Sequence, residues 1–403
     1  MTETFEATIE QAMERGLALQ REGELDAADE IYQQILEHEP GHADAWHFRG
    51  LLALSRGKKE EALGLIGKAI EAAPEYADAH NNRGNVLFLL ERYREALEAW
   101  RRAVEIRPDL AEAHFNLGRG FAAIDDVDQA LAAFRRGLEL YPEKKPEQLD
   151  AYRRMASLLY SADRVEEAAH VYREWLALEP DNDYAKHMLA SCTQQDVPER
   201  ASDSFVRRVF NGFAKDFDEQ LQRLQYQAPK LVAEGLKRVL GPPAGTLEVL
   251  DAGCGTGLCG PGLKPYARRL VGVDLSSEMV KRAEGRGLYD ELAVEELTAF
   301  LTGHREGYDL IASGDTVCYF GELGPLMAAA AAALRPGGHL VFTVERSTGD
   351  PIHLNPHGRY SHTDVYVREA LAGAGMTTVM IAAVFLRMEA KKPVAGLLVV
   401  ARR

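Results

Sequence analysis

Residues 249–257 read Val-Leu-Asp-Ala-Gly-Cys-Gly-Thr-Gly, and this stretch decides the fold of the second half of the chain. An apolar run ends in Asp251, and three glycines follow two apart, Gly253, Gly255 and Gly257. That is the composition of a strand running into a tight turn where the backbone must approach a ligand without Cβ clashes. Seventeen residues after Gly257, the run RLVGVD ends in Asp274, a carboxylate placed to accept both hydroxyls of a ribose. A dinucleotide site would show GxGxxG and hold a pyrophosphate. The acidic Asp251 two residues before the first glycine suits a cationic ligand instead.

Outward from this turn the pattern alternates. Strands are expected at 246–253, 269–274, 308–314 and 337–345, and helices at Gly257–Arg268, Ser276–Gly285, Leu323–Leu334 and His362–Ala374, with a short strand and helix in Glu291–Leu301. The apolar runs Met376–Arg387 and Pro393–Ala401 flank Lys391-Lys392 as a hairpin. Such alternation predicts a Rossmann-like α/β domain with a seven-stranded, mostly parallel sheet that ends in a C-terminal β-hairpin.

The first half follows a different rule. Prolines fall at Pro40, Pro74, Pro108, Pro142 and Pro180, the first three intervals being 34 residues and the last 38, with Glu143–Asp150 absorbing the difference. In register with them come Gly16, Gly50, Gly84, Gly118 and Ala156, then Ala28, Ala62, Ala96, Ala130 and Ala168, then Tyr32, Ile66, Trp100, Phe134 and Tyr172. Small residues let antiparallel helices approach, the large residue fills the gap to the next hairpin, and proline ends the second helix. The period and pattern resemble the tetratricopeptide repeat, and imply an all-α superhelix of about five repeats with a cap helix near Asp183–Ser191. The expected organisation is a repeat array over 1–192, a polar linker over 193–203, and a catalytic domain over 204–403 whose first segment, 204–228, is a lid. The inner face of the array would carry Asp44, His47, Asp78, Asn81, Asn85, Glu112, Phe115 and Arg119 and bind a protein partner or a second copy of the chain. Asn82 and Asn116 recur at one repeat position and are expected to serve packing.

Composition narrows the classes. The chain has 403 residues and a net charge of −15. Residues 1–200 hold 24 Lys+Arg and 39 Asp+Glu, residues 201–403 hold 23 of each, and neither balance suits nonspecific nucleic-acid binding. The longest apolar run, Leu326–Leu334, is too short for a membrane span. The four cysteines form no CxxC pair, no metal-ligand spacing is present, and the expected location is the cytoplasm.

VLDAGCGTG resembles motif I of the class I S-adenosylmethionine-dependent methyltransferases, and VGVDLSSEMV (271–280) and LRPGGHLVF (334–342) resemble later motifs of that family, in the same order. As a whole, residues 205–402 look like the methyltransferase half of bacterial proteins fused to tetratricopeptide repeats, through FNGFAKDFDEQLQRLQYQAP, YDLIASGDTVCYFG, FTVE and GRYSHTDVYV. The resemblance implies that Asp251, Gly253, Gly255 and Gly257 face the methionine part of the cofactor and that Asp274 binds its ribose. Leu275 and Met279 would flank the adenine, and Glu296 would stand where the family carries aspartate near the adenine amino group. Ser313 and Asp315 follow the fourth strand, where cofactor and substrate meet. The cofactor would be S-adenosylmethionine, leaving as S-adenosylhomocysteine, with no metal.

The acceptor, an O, N or S nucleophile that is small, carrier-bound or proteinaceous, needs alignment and, for O or N, a proton acceptor. His353, His357, Arg359, Tyr360 and His362 cluster after FTVE. Among them His362 and Tyr360 are the expected catalytic pair, with Arg346 and Arg359, together with Asp315 and Tyr226, as substrate-binding residues. The alternative is a cofactor-binding adaptor without turnover.

Overall fold

The computed structural model describes residues 2–141, 146–389 and 392–403. The expected Pro142 and Lys391, and the side chain of Phe213, lie outside the described residues. Two compact units divide between Asp163 and Arg164.

The first unit is built of helix hairpins: α1 (Thr2–Glu22) with α2 (Leu25–His38), α3 (Ala43–Ser55) with α4 (Lys59–Ala72), α5 (Ala77–Leu89) with α6 (Tyr93–Ile106), and α7 (Ala111–Ala123) with α8 (Val127–Leu140), followed by α9 (Pro146–Ser161). The small-residue positions explain the packing. A Cβ on Gly118 would sit 2.7 Å from the ring of Phe134, and one on Gly16, Gly50 or Gly84 would collide likewise with Tyr32, Ile66 or Trp100. Each large residue therefore seats on the glycine of its own hairpin, and Trp100 and Tyr32 also reach the next one, at Gly120 and Phe48, as the spacing suggested. All four large residues are buried. Two repeat-related asparagines do serve packing: Asn82 Nδ2 lies 2.9 Å from His47 Nε2, and Asn116 Nδ2 donates to Asn81 Oδ1 at 3.0 Å.

The second unit opens with α10 (Val165–Leu178) and α11 (Asp183–Thr193), the latter capped by the Asn182 side chain on Ala185 N. The expected linker is not a free spacer. Arg200 bridges to Phe320, Ala201 N donates to Tyr319 O (2.9 Å), and Glu199 O accepts from Gly321 N and Glu322 N (2.8 Å each). These backbone pairs tie the segment to residues 319–322, and of the segment itself only Ala201 is buried. Then come α12 (Asp203–Phe213), α13 (Phe217–Arg223) and α14 (Ala228–Leu240).

The sheet unit follows: β1 (Leu247–Ala252), α15 (Gly260–Leu263), β2 (Ala267–Asp274), α16 (Ser277–Glu284), β3 (Glu291–Val294), α17 (Leu297–Gly303), β4 (Tyr308–Ser313), a 3-10 turn at Val317–Tyr319, α18 (Gly324–Ala333), β5 (Leu334–Arg346), β6 (Ile352–Leu354), β7 (Tyr360–His362), α19 (Asp364–Gly373), β8 (Thr377–Glu389) and β9 (Lys392–Arg402). The five strands β3-β2-β1-β4-β5 are parallel, β9 pairs antiparallel with β5, and β8 pairs with β9. These are the seven expected strands with the expected C-terminal hairpin. Two short strands, β7 beside the end of β5 and β6 beside β7, bring the sheet to nine among the described residues. Both come from the segment read as a histidine-bearing loop. His362 is consequently a strand residue, and Thr363 caps α19 instead. The helix expected over Gly257–Arg268 shrinks to α15, because glycine and proline interrupt it and β2 begins at Ala267. The core fills both faces of the sheet, with Leu250, Ile311, Phe342 and Val399 on one side and Val249, Leu310, Val341 and Val400 on the other. Among the described residues no helix is long and apolar enough to cross a membrane.

Candidate active site

The C-terminal ends of β1, β2 and β4 open into a cavity of about 430 Å³. Parallel sheets bind ligands at this edge, where the strand order reverses on either side of β1 and β4. The glycine turn lies on its floor. Gly253, Gly255 and Gly257 all have positive φ (75°, 53° and 85°), a region costly for residues with a Cβ. A Cβ on Gly253 would strike Thr316, whereas the space beside Gly255 is open to the cavity.

Asp274, at the end of β2, organises the turn: its Oδ2 accepts from Gly255 N (2.9 Å) and its Oδ1 from Ser276 N (2.8 Å). Ser276 in turn caps α16. Gly253, Gly255, Asp274, Leu275 and Glu296 all line the cavity. Asp251, Gly257, Met279 and Ser313 stand behind the lining. Asp251 is buried, Oδ2 takes the Tyr289 hydroxyl at 2.6 Å, Oδ1 has no partner, and burial raises its carboxyl to about 7. Met279 is buried beneath the turn, and Ser313 Oγ donates to Ala252 O (2.8 Å), fastening β4 to β1. Glu296 Oε2 caps α17 through Ala299 N (2.8 Å), which leaves Oε1 buried and unpartnered.

The segment 204–228 contributes Val206, Val209, Phe210, Phe217, Leu221 and Tyr226 to the cavity lining. Two latches hold it to the floor. Asp218 accepts from Thr256 Oγ1 (2.5 Å) and pairs with Arg286, which also donates to Thr256 O, and Ser276 Oγ donates to Asn211 Oδ1 (2.6 Å).

At the far end of the cavity stands an ionic cluster. Arg387 is buried and binds three carboxylates: Asp315 through Nη1 (2.6 Å), Glu345 through Nη2, and Glu389 through Nε (3.2 Å). Arg359 binds Glu345 through Nε (2.9 Å) and also Glu389. His357 Nε2 lies 3.2 Å from the other oxygen of Glu345. Burial pushes the Glu345 carboxyl up, but His357, Arg359 and Arg387 overrule it and hold it well below the usual carboxylate range. Glu345, His357 and Glu389 have the spacing of metal ligands, yet both carboxylates already hold two guanidiniums in that space.

The structure brings Asp315, Arg359 and Tyr226 to the cavity wall and does not bring Arg346, Tyr360 or His362 there. Tyr360 is fully buried with its hydroxyl on Pro198 O at 2.6 Å, packed with Ala190 and Leu354, so it fastens the 198–201 strap. His362 is also fully buried, its Nε2 on Gly321 O (3.0 Å), and burial lowers its pKa. Arg346 is exposed at the end of β5. Tyr360 and His362, two apart on β7, are both held out of the cavity, Tyr360 against Pro198 of the strap and His362 against Gly321 and Tyr366. Sequence reasoning missed Arg387 and Glu389. The signal was there: Arg387 interrupts an apolar strand, and a bulge after Phe385 turns Leu386 and Arg387 both inward. Cys254 packs in the turn, and Cys318 is buried with its thiol on Asp315 O (3.1 Å).

Matches to known proteins fall on both halves of the chain. A family model described as a methyltransferase domain matches residues 224–374, and tetratricopeptide-repeat models match 75–143 and, separately, 13–68 and 115–183. Methyltransferase-like protein 27 of Homo sapiens is 39% identical over 87 residues, 21% of this chain and 35% of its own length. A ubiquinone biosynthesis O-methyltransferase of Albidiferax ferrireducens is 29% identical over 117 residues, 27% of this chain and 45% of its own length. The chain thus spans less than half of either relative. A solved S-adenosylmethionine-dependent methyltransferase of Mesorhizobium loti aligns with a TM-score of 0.34 at 22% identity, covering 43% of this chain and 98% of that one. The chain carries tetratricopeptide repeats followed by a class I methyltransferase domain.

Proposed function

We propose that the protein is an S-adenosylmethionine-dependent methyltransferase whose repeat array recruits a protein partner. The observation that carries the first part is the Gly255–Asp274 pair: a glycine with open space where its Cβ would be, and a carboxylate fixed beside it by two backbone amides at the cavity floor. These residues fit the cofactor. Asp274 has lone pairs left for ribose hydroxyls, Leu275 offers an apolar face for a purine, and the buried unpartnered Oε1 of Glu296 can take an exocyclic amine. Asp251, behind the turn, has its carboxyl raised to about 7 by burial, and a cationic group nearby favours its ionised form. When bound, the cofactor supplies an electrophilic methyl on a sulfonium. The chain's own contribution is alignment and exclusion of water: the roof of α12 and α13 closes over the floor through the Asp218 and Asn211 latches.

The repeats support recruitment because such arrays present extended surfaces to protein ligands. Incubation of the full chain with S-adenosylmethionine labelled on the methyl group and a cell lysate split into protein and small-molecule fractions tests the whole reading. Label must appear in an acceptor of one fraction. Binding of S-adenosylhomocysteine with no transfer to either fraction supports the adaptor instead.

A further inference from the structure

The acceptor end of the cavity holds more chemistry than alignment requires. Asp315 follows β4 in a left-handed conformation (φ 60°), its amide held by Thr343 Oγ1 at 2.9 Å. It stands in the cavity wall, its Oδ2 is on Arg387 Nη1, and its Oδ1 is buried without any hydrogen-bond partner. A buried carboxylate oxygen left unmatched costs free energy that a ligand N–H would recover.

The cations beside it already hold carboxylates. Every nitrogen of Arg387 is on a carboxylate, and Arg359 spends Nε and Nη2 on Glu345 and Glu389. Three carboxylates, Asp315, Glu345 and Glu389, face two guanidiniums, and His357 lies behind Glu345. The same cavity is lined by aromatics: Phe210 meets Phe217 edge-on at 6.0 Å and Tyr319 at 5.4 Å, and the Tyr226 hydroxyl lies 3.5 Å from Gly314 O, beside Asp315. Aromatic rings sharing a cavity with an unmatched carboxylate make a place for a cation or a strong N–H donor.

Resting on the methyl-transfer reading, we propose that the methyl acceptor is an amine with an apolar or aryl body, its nitrogen held by Asp315 Oδ1 and its body against the aromatic lining of Phe210 and Tyr319. An acid would add a further negative charge to a cluster where three carboxylates already face two guanidiniums. An alcohol offers a single donor and yields its proton far less readily than an ammonium does. The bound ammonium first gives one proton to Asp315 Oδ1, which passes it on to water. The freed nitrogen lone pair then forms the new bond to the methyl carbon as the carbon–sulfur bond breaks, with that bond's electron pair remaining on sulfur, and the product leaves as the methylated ammonium. Burial raises the Asp315 carboxyl above its usual range even against Arg387, which favours its taking a proton. Arg387 acts as a positioning residue by fixing Oδ2.

The test uses the full chain and three probes of one shape: 2-phenylethylamine, 2-phenylethanol and phenylacetate. Calorimetry with S-adenosylhomocysteine comes first, since absence of binding removes the methyl-transfer reading itself. With binding established, labelled methyl transfer should favour the amine over both other probes by at least about 10-fold in kcat/KM. Asp315→Asn should lower the amine rate by about 100-fold, the scale of a lost proton acceptor, with S-adenosylhomocysteine affinity within about twofold. Equal or faster transfer to the alcohol or the acid, or no transfer to the amine, overturns the proposal on the unmutated protein alone. An unchanged amine rate in Asp315→Asn overturns the role of Asp315.

Discussion

Tyr360→Phe separates a structural from a chemical role at a position whose sequence context suggested catalysis. The ring stays and continues to fill its site between Ala190, Leu354 and the Gly321 backbone, so no cavity forms. Only the hydroxyl is lost, and with it the 2.6 Å bond to Pro198 O. Pro198 is half-buried, so the cost is that of one lost hydrogen bond, about 0.5–1.5 kcal/mol. At roughly 2–4 °C per kcal/mol for a unit of this size, the melting temperature should fall by a few degrees. The assay is a thermal or urea melt together with methyl transfer under conditions where the variant is folded. Turnover should stay within about twofold. A variant with wild-type stability and turnover reduced by 100-fold, the scale of a lost general base, would refute the reasoning.

Two further outcomes follow from the same geometry. His362 is buried and neutral, its pKa pulled below 6.5 by desolvation, so the unfolded chain takes up a proton there first as pH falls. Its contribution is whole above about pH 6.5 and is lost as pH falls below it, so the stability gap between the wild type and His362→Gln should shrink from pH 7.5 to 5.5, by up to about 1.4 kcal/mol per unit. Urea melts at the two values check this, and a gap that grows on acidification contradicts it. Asp218→Ala cuts the latch to Thr256 and Arg286, and calorimetry should show S-adenosylhomocysteine binding weakened by severalfold, on the order of 1 kcal/mol, with no change for Arg346→Ala at the exposed end of β5. Equal effects of the two would remove the latch.

Much of this architecture was legible in the residues. The 34-residue recurrence of Gly16, Gly50, Gly84 and Gly118 reported close helix approach, and those glycines do lie where a Cβ would strike the large residue of the same hairpin. VLDAGCGTG and Asp274 reported the cavity floor because both are local: a turn needing positive φ and the end of the adjacent strand. The acceptor end was not legible in the same way. Arg387 and Glu389 reach Asp315 and Glu345 only through the β5–β9–β8 pairing, which is long-range in sequence. Tyr360 and His362 misled because histidine and tyrosine near a strand end carry the same letters whether they face a cavity or a strap. Two short strands, with three residues each, left no periodicity to reveal which way they faced.

Calorimetric titration of the full chain with S-adenosylhomocysteine, set beside NAD and repeated on Asp274→Ala, decides whether the floor built by Gly255 and Asp274 holds S-adenosylmethionine. One site per chain is expected, at least about 100-fold tighter for S-adenosylhomocysteine than for NAD, and weakened in the variant by about 10- to 150-fold, the worth of hydrogen bonds to a charged group. Tight NAD binding without S-adenosylhomocysteine binding, or an Asp274→Ala variant that folds and binds as the wild type does, would contradict this cofactor assignment.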